Sequence, residues 1–331
     1  MSFPLNLLLL LFIFIASSCA VDPEAVKLAN YRDVRMLLSD KKCSRAMDIL
    51  EDMDDVDDDP VWYSLKASAE ACEGDYSELS LVSAFADAGT LNEDNLLSAF
   101  ASLSTSVMTE ADVDAYSYPQ TAINTLLFSN DEDDEPSAEA RVDDFGDFHG
   151  VNINWQLLWL LTYNLGKYSH HYGNTSTAGV KDAGDGANNC FLTYSDADTR
   201  VYLLSGAVTT ICTGAVPADL VGSTDLDDWS TDSTARRRVC EGIILFNNWF
   251  SIFAGLGSTS QTESVDVPTL SELSDAAEAV YDAGSGYKGE DVFTFTSHET
   301  CEDYIEAGGD NLIGIEQYFT FTLEVMSDVP P

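Results

Sequence analysis

Apolar and polar positions divide the chain into stretches of different period. Leu5 to Ile15 carries no charge and is apolar except for Asn6, and the small residues Ala16, Ser17 and Ser18, then Cys19, then an acidic segment opening at Asp22 follow it. A run of this length with a small-residue end has the pattern of a signal-peptide core and is short for a membrane span. From Tyr31 to Met53 apolar residues recur at three- and four-residue steps, as on one face of a helix. A second such stretch starts at Pro60, a favoured first helical position, and stops before Gly74. Together they predict an antiparallel hairpin turning near Val56 to Asp58, the first of a set of helical hairpins running to about Ser106.

The helical period then lapses. Ser129 to Gly150 carries a proline, repeated carboxylates and no apolar repeat, which predicts an exposed loop or linker. The strongly apolar stretch 151–168 predicts a buried helix, with Trp155, Leu158, Trp159 and Tyr163 as its core-facing stripe. Ser169 to Asn189, rich in Gly, Asn, Asp and Ser, reads as a long loop, the kind of segment that carries sites. Further helices are predicted over 197–213, 233–253, 270–282 and 312–326. The second of these carries Val239, Ile243, Leu245, Trp249, Phe250 and Phe253 and belongs at the centre of the core. Its Glu241, Asn247 and Asn248 argue against a membrane span. The expected fold is mainly α. A leader over 1–19 precedes a helical-hairpin region over 20–128, an acidic linker or loop over 129–150, and a disulfide-stapled helical bundle over 151–331.

Cysteine usage adds a compartment. Setting Cys19 aside leaves six of the seven cysteines, an even number suited to an oxidising environment. In the first hairpin Cys43 and Cys72 each lie about fourteen residues from the turn, ~21 Å at helical rise, so they stand at similar heights. A bond between them would stabilise on the order of 3 kcal/mol. Cys190, Cys212, Cys240 and Cys301 allow three connectivities. If helices 197–213 and 233–253 are antiparallel neighbours, Cys212 can pair with Cys240, which leaves Cys190 for Cys301. With no CxxC pair in the chain, a zinc site or a thioredoxin-type motif has no support.

The net charge of −42 excludes nucleic-acid binding through a basic footprint, because phosphate is repelled, and disfavours direct docking on anionic headgroups. It suits a surface bathed in salt or divalent cations. Basic residues are unevenly placed, with seven between Lys27 and Lys66 and none between Lys66 and Arg141, so the first helices are nearly balanced.

Two resemblances rest on specific residues. Ile15-Ala16-Ser17-Ser18-Cys19 resembles the lipobox of bacterial lipoproteins, with Ala16 where leucine is usual and no Lys or Arg before the apolar run. It implies lipidation at Cys19, and Ala20 at the next position points to the outer membrane. Ser18-Cys19-Ala20 also fits ordinary signal-peptidase cleavage, which would release a soluble protein starting at Val21. Trp62, Leu65, Ala67, Ala69 and Gly74-Asp75-Tyr76 resemble a tetratricopeptide repeat, with one extra residue between Leu65 and Gly74 and Leu79 at the usual alanine position. That resemblance covers about sixty residues and implies helix–turn–helix packing of repeat type.

Candidate chemistry is sparse. Lys181 to Asn189 offers Asp182, Asp185 and Asn188 as oxygen ligands for calcium, without EF-hand spacing. The run Asp131 to Glu135 reads as a charged linker. His170 and His171 are adjacent and diverge on a helix, and His149 and His298 have no motif around them. No Gly-x-Ser-x-Gly elbow or Gly-rich phosphate loop occurs. Arg236, Arg237 and Arg238 open a helix against its dipole, which is unfavourable unless compensated, either by nearby acids such as Asp227, Asp228 and Asp232 or by an anion or acidic partner. Asn174-Thr175-Ser176 is a glycosylation sequon. The expectation is an exported, lipid-anchored helical scaffold or binding module for a protein or peptide partner, touching the membrane only through its anchor and without an enzymatic site. The alternatives are an acidic surface protein ordered by calcium, or a secreted hydrolase with a site near Ser169 to Asn189.

Overall fold

The computed structural model describes residues 22–54, 56, 58–76, 113–129, 137–172, 229–259, 269–281 and 286–322. Every regular element among them is helical: α1 (Pro23–Ser39), α2 (Cys43–Glu51), α3 (Pro60–Glu73), α4 (Asp114–Leu127), α5 (Ala138–Tyr172), α6 (Ser233–Thr259), α7 (Leu270–Tyr281), a 3₁₀ turn (Asp291–Thr294), α8 (His298–Ala307) and α9 (Asp310–Thr320). The fold class is the one the apolar periodicity predicts.

The stretch expected as one helical face before the first turn is two helices. Lys41 takes a left-handed backbone (φ 56°), and the Lys42 N–H returns to the Leu37 carbonyl at 2.8 Å, which stops α1. The starts of α1 and α3 are both capped by a carboxylate ahead of a proline, and α1 begins at Pro23, within the stretch from Asp22 to Lys27 that reads from sequence as a short tether. Asp22 accepts the Glu24 N–H ahead of Pro23, and Asp59 accepts those of Val61 and Trp62 ahead of Pro60. Asp59 also accepts the Tyr31 hydroxyl at 2.8 Å and pairs with Lys27, so one carboxylate ties α1 to the start of α3. Tyr31, Val34, Ala46, Leu50, Leu65 and Ala69 pack as a small cluster among these three helices. The Cys43–Cys72 bond, with Cα atoms 5.6 Å apart, closes the hairpin as its spacing predicts.

A larger core runs from Ala67 in α3 through α4, α5 and α6 to Phe321. The apolar repeat had not marked α4, which passes through Pro119. That ring sits against Gly74, where a side chain would come within 2.7 Å of its Cδ. Residues 138–150 differ from the expected loop or linker, being helical and part of this core. The chain doubles back at Gly146 (φ 75°, ψ 161°), a conformation open essentially to glycine alone, and divides α5 into limbs 138–145 and 147–172. The physical reason is Arg141, fully buried among the acids. It donates to Asn154 Oδ1 at 2.7 Å and to the Leu127 carbonyl at 3.2 Å, so it binds the two limbs together and caps the negative end of α4.

The central position expected for α6 is the one it occupies. Every residue from Val239 to Phe250 is buried, and although Ser233–Leu256 is long and apolar enough to cross a membrane, most of it is enclosed by protein. Its polar residues are used inside. Asn247 donates to the carbonyls of Val292 and Phe295 at 2.8 and 2.9 Å and accepts the Tyr318 hydroxyl at 2.8 Å. The Trp249 indole N–H donates to Thr162 of α5 at 2.8 Å. Gly242 admits the Tyr168 ring where any side chain would overlap it. In α7 the Thr269 and Glu272 side chains each accept the other's backbone N–H, a reciprocal cap.

The second disulfide corrects the pairing considered for the helix neighbours. Cys240 is bonded to Cys301, with Cα atoms 5.7 Å apart, and therefore to neither Cys212 nor Cys190 in the combination drawn from sequence. The partner comes from α8, a ten-residue helix the apolar pattern had not marked. The same helix supplies arginine partners that the sequence reading had not named: Arg236 pairs with Glu306 and Arg237 with Glu302 (3.6 Å), while Arg238 pairs with Glu241 at 2.8 Å within α6; Asp227 and Asp228 lie outside the described residues.

Candidate interaction face

The expected core stripe on α5 divides into two faces. Leu158 and Tyr163 are buried and Trp159 is half-buried, whereas Trp155 is 44% exposed and Phe148, one face-repeat earlier, is 74% exposed. The reading of Trp155 as core is corrected. The buried side is built from Ile153, Leu157, Leu160, Leu161 and Leu165, so the polypeptide is apolar on more of its circumference than the core consumes. Phe148 and Trp155 are seven residues apart and share the outer face, with exposed Asn152 between them.

This face is held rigidly. Gln156, next to Trp155, accepts the Ser64 hydroxyl at 2.6 Å and donates to the Ser64 carbonyl and Ser68 hydroxyl at 3.0 and 2.9 Å, which fixes α5 on α3. At the Gly146 turn aromatic rings continue inward. Phe148 meets His149 edge-on at 5.1 Å, and Phe145 lies 6.1 Å from Tyr63, which meets Trp62 at 5.2 Å. Asp143, Asp144 and Asp147 are exposed around the turn. Between Arg141 and Lys167, both buried, the chain has no Lys or Arg. The ridge is thus aromatic with an anionic border, a composition that excludes water at its centre and attracts cations at its edge. A second exposed apolar set, Val26, Leu28 and Met36, lies on α1.

One group of ionisable side chains is interior. Tyr116, Tyr168, Tyr172 and Glu241 are buried where α4, α5 and α6 meet, with half-buried Arg238 bonded to Glu241 at its edge. Burial, then the charge of Glu241, pushes the Tyr116 hydroxyl far above its ordinary range, and burial does the same to Tyr168. These phenols stay neutral, and the Tyr168 hydroxyl donates to the Arg238 carbonyl at 3.1 Å. Burial lowers the Lys167 ammonium to about 8, with its Nζ 4.8 Å from the Tyr163 ring centre. Shut away from solvent, the group joins three helices.

Of the other sequence candidates, His149 is half-buried beside Phe148 and His171 is buried against Tyr172 with ring centres 4.6 Å apart. His298, largely covered, is held down to about 4 by burial and by Arg237 and Arg238. The segment expected as a loop from Ser169 is helical as far as Tyr172. Cys19 and the leader, Asp131 to Glu135, Asn174, the calcium candidates Asp182, Asp185 and Asn188, helix 197–213, Cys190 and Cys212 lie outside the described residues. Among the described residues no group of three or more His, Cys, Asp or Glu is placed to hold a metal ion. No protein family, curated protein or solved structure matches this chain.

Proposed function

We propose that the chain is an exported protein, anchored by lipid at Cys19 in a bacterial outer membrane, that serves as a helical scaffold binding a protein or peptide partner. The uncharged, mostly apolar run from Leu5 to Ile15, followed by small residues and Cys19, supports export. The two described disulfides, Cys43–Cys72 and Cys240–Cys301, are compatible with an oxidising compartment. Phe148 and Trp155, turned to solvent from a helix whose other side builds the core, carry the scaffold reading, because a rigid aromatic face serves recognition by apolar contact. In this reading the hairpin around Trp62, Leu65 and Gly74 is of tetratricopeptide type and stiffens the support beneath that face.

Intact-mass spectrometry of membrane and soluble fractions from the native host, with and without reduction, tests the anchor. A membrane-bound species beginning at Cys19 with a diacylglyceryl mass is expected. A soluble species beginning at Val21 would overturn the anchor and make this a released protein.

A further inference from the structure

We infer that the Phe148–Trp155 ridge docks the apolar side of a cationic helix of another protein; the inference rests on the scaffold reading and names its partner's chemistry. At helical rise the two rings are spaced by about 10.5 Å along α5, two turns, the interval at which a facing amphipathic helix repeats its own apolar side chains. The border selects the charge. Exposed Asp143, Asp144 and Asp147 stand at the Gly146 turn, and no Lys or Arg occurs from residue 142 to residue 166. A partner with an apolar stripe and Lys or Arg on its flanks would cover the rings and neutralise these carboxylates together. A second copy would bring the same carboxylates and a net charge of −42 of its own to the contact, which opposes self-association. Anionic headgroups are repelled for the same reason. The rigid hold of Gln156 on Ser64 and Ser68 means that the ridge is presented without reorganisation, which lowers the cost of binding.

The test uses the mature chain and two synthetic helices of about five turns, one Leu/Lys and one Leu/Glu with the same apolar spacing. Binding is read by anisotropy of the labelled peptide at several salt concentrations, with melting temperatures recorded for each variant. The Leu/Lys helix is expected to bind the native chain, and the paired change Phe148→Ser, Trp155→Ser to weaken it about tenfold or more, as for loss of two aromatic anchors. Changing Asp143, Asp144 and Asp147 to Asn should weaken binding severalfold at low salt, with the effect fading as salt screens it. Removing three exposed charges elsewhere, Asp275→Asn, Glu278→Gln and Glu299→Gln, should change it by less than about twofold. Equal binding by the ridge and remote variants would overturn the proposal, since attraction would then be diffuse. So would equal binding of the Leu/Glu helix, a dimer that the serine variant dissolves, or vesicle flotation that depends on the two rings. A soluble, unlipidated species that still discriminates the two peptides would sink the anchor alone. A lipidated species that does not discriminate would sink the ridge alone.

Discussion

Cys240 of α6 is bonded to Cys301 of α8 across 61 residues of sequence, and the contacts beside it run antiparallel, Arg237 with Glu302 and Arg236 with Glu306. The covalent link and the ion pairs act at one place. They fasten a short helix over the basic start of α6, where three arginines would otherwise oppose the helix dipole.

Reduction of this bond should be costly. For a closed loop of this length the chain-entropy relation gives about 4 kcal/mol, and about 3.5 kcal/mol for Cys43–Cys72. Non-reducing peptide mapping should recover the Cys240–Cys301 pair. The Cys301→Ser variant should melt well below the native chain, and recovery of a Cys212–Cys240 peptide would contradict the fold.

Trp155 offers a direct comparison with a core residue of the same helix. Trp155→Ser should change stability by less than about 1 kcal/mol, as for an exposed position. Leu161→Ala, at a fully buried site, should cost about 2–5 kcal/mol. Urea titration of the two variants decides it, and a large loss on replacing Trp155 would return that ring to the core.

Asn247 uses both of its amide protons and its oxygen on groups buried with it. Asn247→Leu should cost about 3 kcal/mol or more, because the carbonyls of Val292 and Phe295 and the Tyr318 hydroxyl lose their partner without gaining water. Hydrogen exchange should show early opening confined to residues 291–320.

His298 gives a pH dependence with a definite sign. Its folded pKa of about 4 lies below the ordinary 6.5, so between these values the unfolded chain binds the proton and the folded chain does not. Stability from this site is therefore intact above pH 6.5 and falls as pH drops toward 4, by up to about 3 kcal/mol. The groups facing it are Arg237, Arg238 and Glu302, the last with its carboxylate oxygen 3.7 Å from Nδ1. His298→Gln should show a shallower loss over this window in parallel urea titrations. Identical slopes would mean that the imidazole titrates normally.

Several features were legible because they are local. The Pro60 start of α3, the Cys43 and Cys72 heights, and the apolar density of α6 are each set by residues within a few turns. The carboxylates of residues 129–150 misled because a charge run suppresses the apolar repeat, while Arg141 lends the segment a buried partner found only across the Gly146 turn. In α8 the stop was visible in Gly308-Gly309 and a serine stands before its start, yet only Cys301 and Ile305 are buried, too few to give a period. The ridge was hidden by abundance, since residues 151–168 are apolar on more than one side and periodicity cannot say which side meets the core.

The amino-acid sequence by itself determined the helical class, the net acidity and the first disulfide, since each depends on composition or on contacts within a hairpin. Tertiary packing alone decided which face of α5 is buried, that Cys240 joins Cys301, and that Arg236 and Arg237 of α6 meet glutamates from α8. Those outcomes depend on which distant surfaces exclude water from one another, and that choice is made by the assembled core, where the largest apolar area is removed from solvent.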